Sequence, residues 1–158
     1  MDLLTALQES DVSRWIASSP SLLAYPMFLT LHTVGMAIVV GTCVALDLRV
    51  LGVASDVPLA AFSGAPRLVW SGFVVNAATG TALFMIDAEH KATQWIFYVK
   101  LLLIALALII YARTRRLVAV TSSGGEPLVP LRARTLAIVS LLLWTGATVA
   151  GRLMAYII

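Results

Sequence analysis

Four apolar stretches, at 22–46, 68–86, 95–112 and 136–158, occupy most of this 158-residue sequence and restrict it to one solvent, the lipid bilayer. Roughly 18 to 20 apolar residues carry a helix across a ~30 Å hydrocarbon core, and every stretch reaches that length. Lipid offers backbone N–H and C=O groups no partners, so the crossings must be helices. The expected fold class is therefore all-α: an integral membrane four-helix bundle forming a single domain over 1–158. Ahead of the first crossing, Leu3, Leu4, Leu7, Trp15 and Ile16 are interspersed with Asp2, Glu9, Asp11 and Arg14. That pattern predicts a short interfacial helix over about 3–17, ended by Ser18-Ser19-Pro20-Ser21.

Only 12% of residues are charged, yet the balance is basic, with net charge +3. A basic balance can signal nucleic acid, but here the cations sit in loops beside the spans. They read as topology signals, and no nucleic-acid partner is expected. Arg49, Arg67, Arg113, Arg115, Arg116, Arg132 and Arg134 fall in the two loops on one side, against Arg14 and Lys91 on the other. Positive residues stay in the cytoplasm, so the expected localisation is a bacterial inner membrane, multi-pass, with both termini periplasmic. The acidic, weakly apolar N-terminus does not resemble a cleavable signal, and the first span is expected to do the targeting. The Arg-rich loop at 113–134, with Thr121-Ser122-Ser123-Gly124-Gly125 and two prolines, reads as flexible and solvated. Cys43 is the one cysteine, so no disulfide within the chain can form.

Function in such a chain is sought among polar groups at membrane depth, where each costs several kcal/mol (about 2 to 4) unless paired or used. His32 lies ~15 Å into the first span by helical rise. Lys100 near the start of the third span and Arg152 near the end of the fourth converge on the same outer half. Gly35, one turn from His32, leaves room for the flat ring of a porphyrin or for close approach of a neighbouring helix. Met36, at i+4 from His32, makes a thioether–imidazole pair suited to Cu(I), with Met27 or Met85 as further donors. The candidate cofactor-binding set is thus His32, Gly35, Lys100 and Arg152, and the candidate metal pair is His32 and Met36. Lys100 and Arg152 also read as cations that snorkel to the outer interface. Asn76, Thr79, Thr81, Thr145 and Thr148 are read as packing groups, bonding across helices or to their own backbone. Asp47 and Arg49 read as an ion pair at the inner boundary, and His90 with Asp87 and Glu89 as a weak surface metal candidate.

The run Leu31-His32-Thr33-Val34-Gly35, continuing through Gly41 to Asp47-Leu48-Arg49-Val50-Leu51-Gly52, resembles an uncharacterised family of small bacterial four-span proteins. Thr79-Gly80-Thr81-Ala82-Leu83-Phe84 and Lys100-Leu101-Leu102-Leu103 look like that family's further signatures. More distantly, the chain is similar to CopD copper-resistance proteins and HemJ-type protoporphyrinogen oxidases. The HemJ-type resemblance implies haem b, with the functional histidine and lysine falling on His32 and Lys100.

Three expectations follow. The first is a haem b electron-transfer subunit, the second a CopD-like copper binding or transfer protein, and the third a non-catalytic scaffold or anchor. Expected partners are the lipid bilayer, a periplasmic redox or metal-binding protein, and further subunits in a homo- or hetero-oligomer. No motif of a soluble enzyme is present.

Overall fold

The computed structural model describes residues 3–121 and 129–156, and its regular elements are all helical, with no strand among the described residues. The order is α1 (Leu3–Gln8), α2 (Asp11–Ser18), α3 (Tyr25–Leu51), a 3-10 turn (Leu59–Gly64), α4 (Ala65–Met85), α5 (Ala88–Thr93), α6 (Trp95–Thr121) and α7 (Leu131–Leu153). Four helical stretches, Tyr25–Leu51, Leu59–Met85, Trp95–Val118 and Leu131–Leu153, are long and apolar enough to cross a membrane.

The helix ends differ from those read off hydropathy, for local chemical reasons. The single interfacial helix expected over 3–17 is divided by Ser10, whose hydroxyl donates to the Leu7 carbonyl at 2.8 Å and accepts from the Ser13 N–H at 3.3 Å. One side chain thereby closes α1 and caps α2. The first span continues past Leu46 to Leu51, because a charged side chain does not end a helix whose backbone bonds remain satisfied. Gly52 ends it. With φ +101, Gly52 donates to the Arg49 carbonyl at 3.1 Å while Val53 donates to that of Leu48 at 3.0 Å. This paired closure is the Schellman motif, and the left-handed φ it needs favours glycine. The Arg49 guanidinium then holds the following loop by donating to the Ser55 carbonyl at 2.9 Å and to that of Val57.

The region expected as a loop from 113 to 134 is helical at both ends: α6 runs on to Thr121 and α7 starts at Leu131, just after Pro130. The stretch 122–128, which carries most of the Ser/Gly run, lies outside the described residues.

The contacts divide the chain into two compact units. The first takes the described residues of 1–39 and 68–95, and the second those of 40–67 and 96–158. In the first unit, α1 meets α5 through Thr5, whose hydroxyl donates to Glu89 Oε1 at 2.6 Å, and through Gln8 Oε1, which accepts from the Glu89 N–H at 3.2 Å. The N-terminal half of α3 lies directly on α4. A β-carbon at Gly35 would fall 2.9 Å from the Asn76 nitrogen and 3.0 Å from the Gly72 carbonyl oxygen. One placed at Gly72 would fall 3.0 Å from the Gly35 carbonyl oxygen. Two glycines facing each other let the backbones touch, which gains dispersion contact that lipid cannot offer.

In the second unit, the C-terminal half of α3 packs with α6 and α7. The buried face of α7 is Ala133, Ala137, Ser140, Trp144, Ala147 and Ala150. Steps of three and four residues put these on one stripe, small throughout except for a single indole.

Candidate functional site

His32 is held by α4 within the first unit. Its Nδ1 lies 3.0 Å from the Asn76 carbonyl oxygen and 3.2 Å from Thr79 Oγ1. A carbonyl can only accept, so Nδ1 carries the proton. Thr79 agrees with this assignment, because its own hydroxyl proton goes to the Val75 carbonyl at 2.6 Å and leaves the oxygen to accept. Neutral His32 is then the Nδ1–H tautomer with its lone pair on Nε2. Asn76 closes a second bond between the same helices, its Nδ2 donating to the His32 carbonyl at 2.7 Å. The ring edge rests on Gly80, where a β-carbon would meet His32 Cε1 at 3.0 Å. Three α4 residues therefore set the orientation of one imidazole.

The polar residues read together as packing groups separate here into two kinds. Thr81, Thr145 and Thr148 bond back to the carbonyls of Ala77, Leu141 and Trp144 in their own helices. Asn76 and Thr79 instead position His32.

Of the two uses expected for Gly35, the contacts support the close approach of a neighbouring helix, since α4 backbone lies beside it. Met36 is half-buried one turn beyond His32. The two cations of the candidate set lie in the second unit. The Lys100 chain runs along Gly151, its Cε, Cδ and Nζ 3.4, 3.6 and 3.6 Å from where a β-carbon would stand. Arg152, the next residue, is exposed and engaged with Tyr156, its guanidinium carbon 5.6 Å from the ring centroid and its Nη2 3.3 Å from the hydroxyl. Arg152 therefore holds its charge at the protein surface, against the Tyr156 ring.

At the loop candidate, one Glu89 carboxylate oxygen accepts from the Thr5 hydroxyl, and His90 Nε2 lies 2.9 Å from the Gln94 amide nitrogen. Among the described residues, no three of His, Cys, Asp and Glu are arranged to hold a metal ion. Lys91, in the same turn, donates to the Leu83 carbonyl. Burial lowers its ammonium below the ordinary lysine value, partly offset by Asp87.

The expected Asp47–Arg49 pair is also absent, since Arg49 spends its donors on the Ser55 and Val57 carbonyls. Residues two apart on a helix point to different faces, so Arg49 reaches the loop while Asp47 turns inward. Asp47 is 1% exposed, and neither carboxylate oxygen has a hydrogen-bond partner. Hydropathy along the chain gives the depth of a residue and not its face, so the inward turn of Asp47 is not visible in it. Its i+4 spacing from Cys43 puts the two residues on one helix face, and Cys43 is also buried.

Fold and polar interior together define a class: an all-helical polytopic membrane protein with a histidine whose tautomer is set by the neighbouring helix. No family model, no curated protein and no solved structure matches the chain.

Proposed function

We propose that this protein is a redox-active inner-membrane subunit that holds one metal centre through Nε2 of His32, with haem b as the group bound. The observation that carries this reading is the Nδ1–H donation to the Asn76 carbonyl and Thr79. A ligating histidine characteristically donates its other ring N–H to a fixed acceptor, which sets the tautomer and raises the basicity of the ligating nitrogen. Haem iron bound there would accept and pass on one electron. The residues of this chain orient the imidazole, keep the proton on Nδ1 and keep Nε2 basic. A second reading, a Cu(I) site, rests on Met36 at i+4, a soft donor on the same helix face.

The test is an absorption spectrum with metal analysis on detergent-purified protein. His32→Ala is expected to abolish a Soret band, and Met36→Leu to leave it unchanged. Copper without a Soret band, lost in both variants, would select the second reading. Unaltered spectrum and metal content in His32→Ala would make the residue a packing histidine and the protein a scaffold.

The charge count supports an orientation with both termini periplasmic: seven basic residues lie in the terminal turns of the long helices on one side (Arg49, Arg67, Arg113, Arg115, Arg116, Arg132 and Arg134), against Arg14 and Lys91 on the other. In a Cys43→Ala background, a cysteine introduced at position 90 should react with an impermeant periplasmic thiol reagent and one at position 56 should not. The opposite pattern reverses the orientation.

A further inference from the structure

The second unit contains a buried polar cluster that the reading of His32 does not use. α3 contributes Cys43 and Asp47, α6 contributes Tyr111 and Thr114, and α7 contributes Ser140 and Trp144; all six side chains are buried. Each helix supplies its two residues one turn apart, so three helices turn a polar face into the same interior. The Ser140 hydroxyl faces the Asp47 carboxyl without closing a hydrogen bond to it. Tyr111 lies within electrostatic reach of both Asp47 and Cys43, and the Trp144 indole faces Cys43. Both Asp47 oxygens, the Tyr111, Thr114 and Ser140 hydroxyls and the Trp144 N–H are buried without a hydrogen-bond partner.

So many unsatisfied polar atoms in one place exceed the needs of packing, which α7 meets elsewhere along the same stripe with alanine. An ionised carboxylate at this position would be buried in low dielectric with no cation bonded to it, which is costly. A neutral acid removes most of that cost and gains a donor. Among the described residues, the titratable and charged groups tied electrostatically to Asp47 are Cys43 from its own helix and Tyr111 from α6, with Arg115 acting on Tyr111; α7 presents Ser140 and Trp144. None of these supplies a directly bonded positive charge. Asp47 is four residues from the end of α3, about 6 Å by helical rise, so a proton has a short path to the aqueous loop that begins at Gly52.

We propose that Asp47 is a proton-binding carboxyl, held neutral at physiological pH inside the α3–α6–α7 cluster and discharging its proton to water at the Gly52 end of α3. On release, the O–H bond of the acid breaks, the proton passes to water, and the electron pair stays on the carboxylate. The Ser140 and Tyr111 hydroxyls are the donors placed to stabilise that anion. This inference does not depend on His32 or on any cofactor.

The experiment is pH-difference infrared spectroscopy on the full-length protein in detergent. At neutral pH the wild type should give a protonated-acid C=O band that disappears on alkaline titration. Asp47→Asn should lack the band entirely, and Ser140→Ala should shift it. If Asp47→Asn fails to fold, wild type carrying 13C-labelled aspartate keeps the test: the band must move with the aspartate label and not with a glutamate label. Absence of the band in folded wild type at neutral pH would overturn the proposal, as would its persistence in Asp47→Asn. A band absent in sodium chloride but present in choline chloride would also overturn it, assigning the site to sodium.

Discussion

Adding one methyl group at Gly35 should destabilise this protein, while adding the same group six residues along the same helix, at Gly41, should not. At Gly35 the new β-carbon meets the Asn76 nitrogen at 2.9 Å, the Gly72 carbonyl oxygen at 3.0 Å and the Asn76 α-carbon at 3.2 Å. All three are backbone atoms, which cannot rotate away, so α3 and α4 must separate. Separation also strains the Asn76 to His32 carbonyl bond and the Nδ1 contacts that orient the imidazole. Overpacking of this kind costs about 1–3 kcal/mol, and Gly35→Leu should abolish the native pairing. Gly41 has nothing within 4 Å of its β-carbon position. There alanine brings only its better helix propensity, a gain of roughly 0.5–1 kcal/mol. Thermal unfolding in detergent should therefore move in opposite directions for Gly35→Ala and Gly41→Ala. Equal shifts would mean that the helices are not in backbone contact at Gly35.

The second large effect is expected at Trp144. Of the tryptophans it is the buried one, 4% exposed, whereas Trp95 is 63% and Trp70 58% exposed. Its ring fills a stripe on α7 otherwise made of alanine and serine, so Trp144→Ala leaves a cavity that small neighbours cannot close. The cost should be about 3 kcal/mol, the low end for truncating a large aromatic, because lipid rewards apolar burial less than water does. Trp70→Leu, at an exposed position, should change stability by less than about 0.5 kcal/mol. Chemical unfolding followed by circular dichroism measures both. A Trp144→Ala variant as stable as the wild type would show that α7 does not pack through this face.

What could be read from the sequence was whatever depends on sums along the chain. Hydropathy over about 18 residues is a local total, and it was enough to establish the lipid solvent, the all-helical class and four crossings. It also identified His32 as a polar group at depth, because depth is position within a span. The bounds were less accurate, since Ser10 divides one expected helix and α3 runs on through Asp47 and Arg49 to Gly52. Those limits are set by individual capping bonds and not by hydropathy.

What only the tertiary structure decided was facing. Gly35 is compatible on sequence with a ligand slot or a helix contact, and the backbone of α4 beside it makes it the latter. Asp47 and Arg49 look like an adjacent pair in sequence, but two residues of helical rotation send the arginine to the loop and the carboxyl into the protein. The tautomer of His32 is likewise set by a carbonyl 44 positions away. The Gly35 contact and the His32 tautomer depend on which atoms a second helix brings within about 3–4 Å, a quantity that no periodicity within a single helix contains; for Asp47 the periodicity gives the face, and only the packing shows that the face is buried.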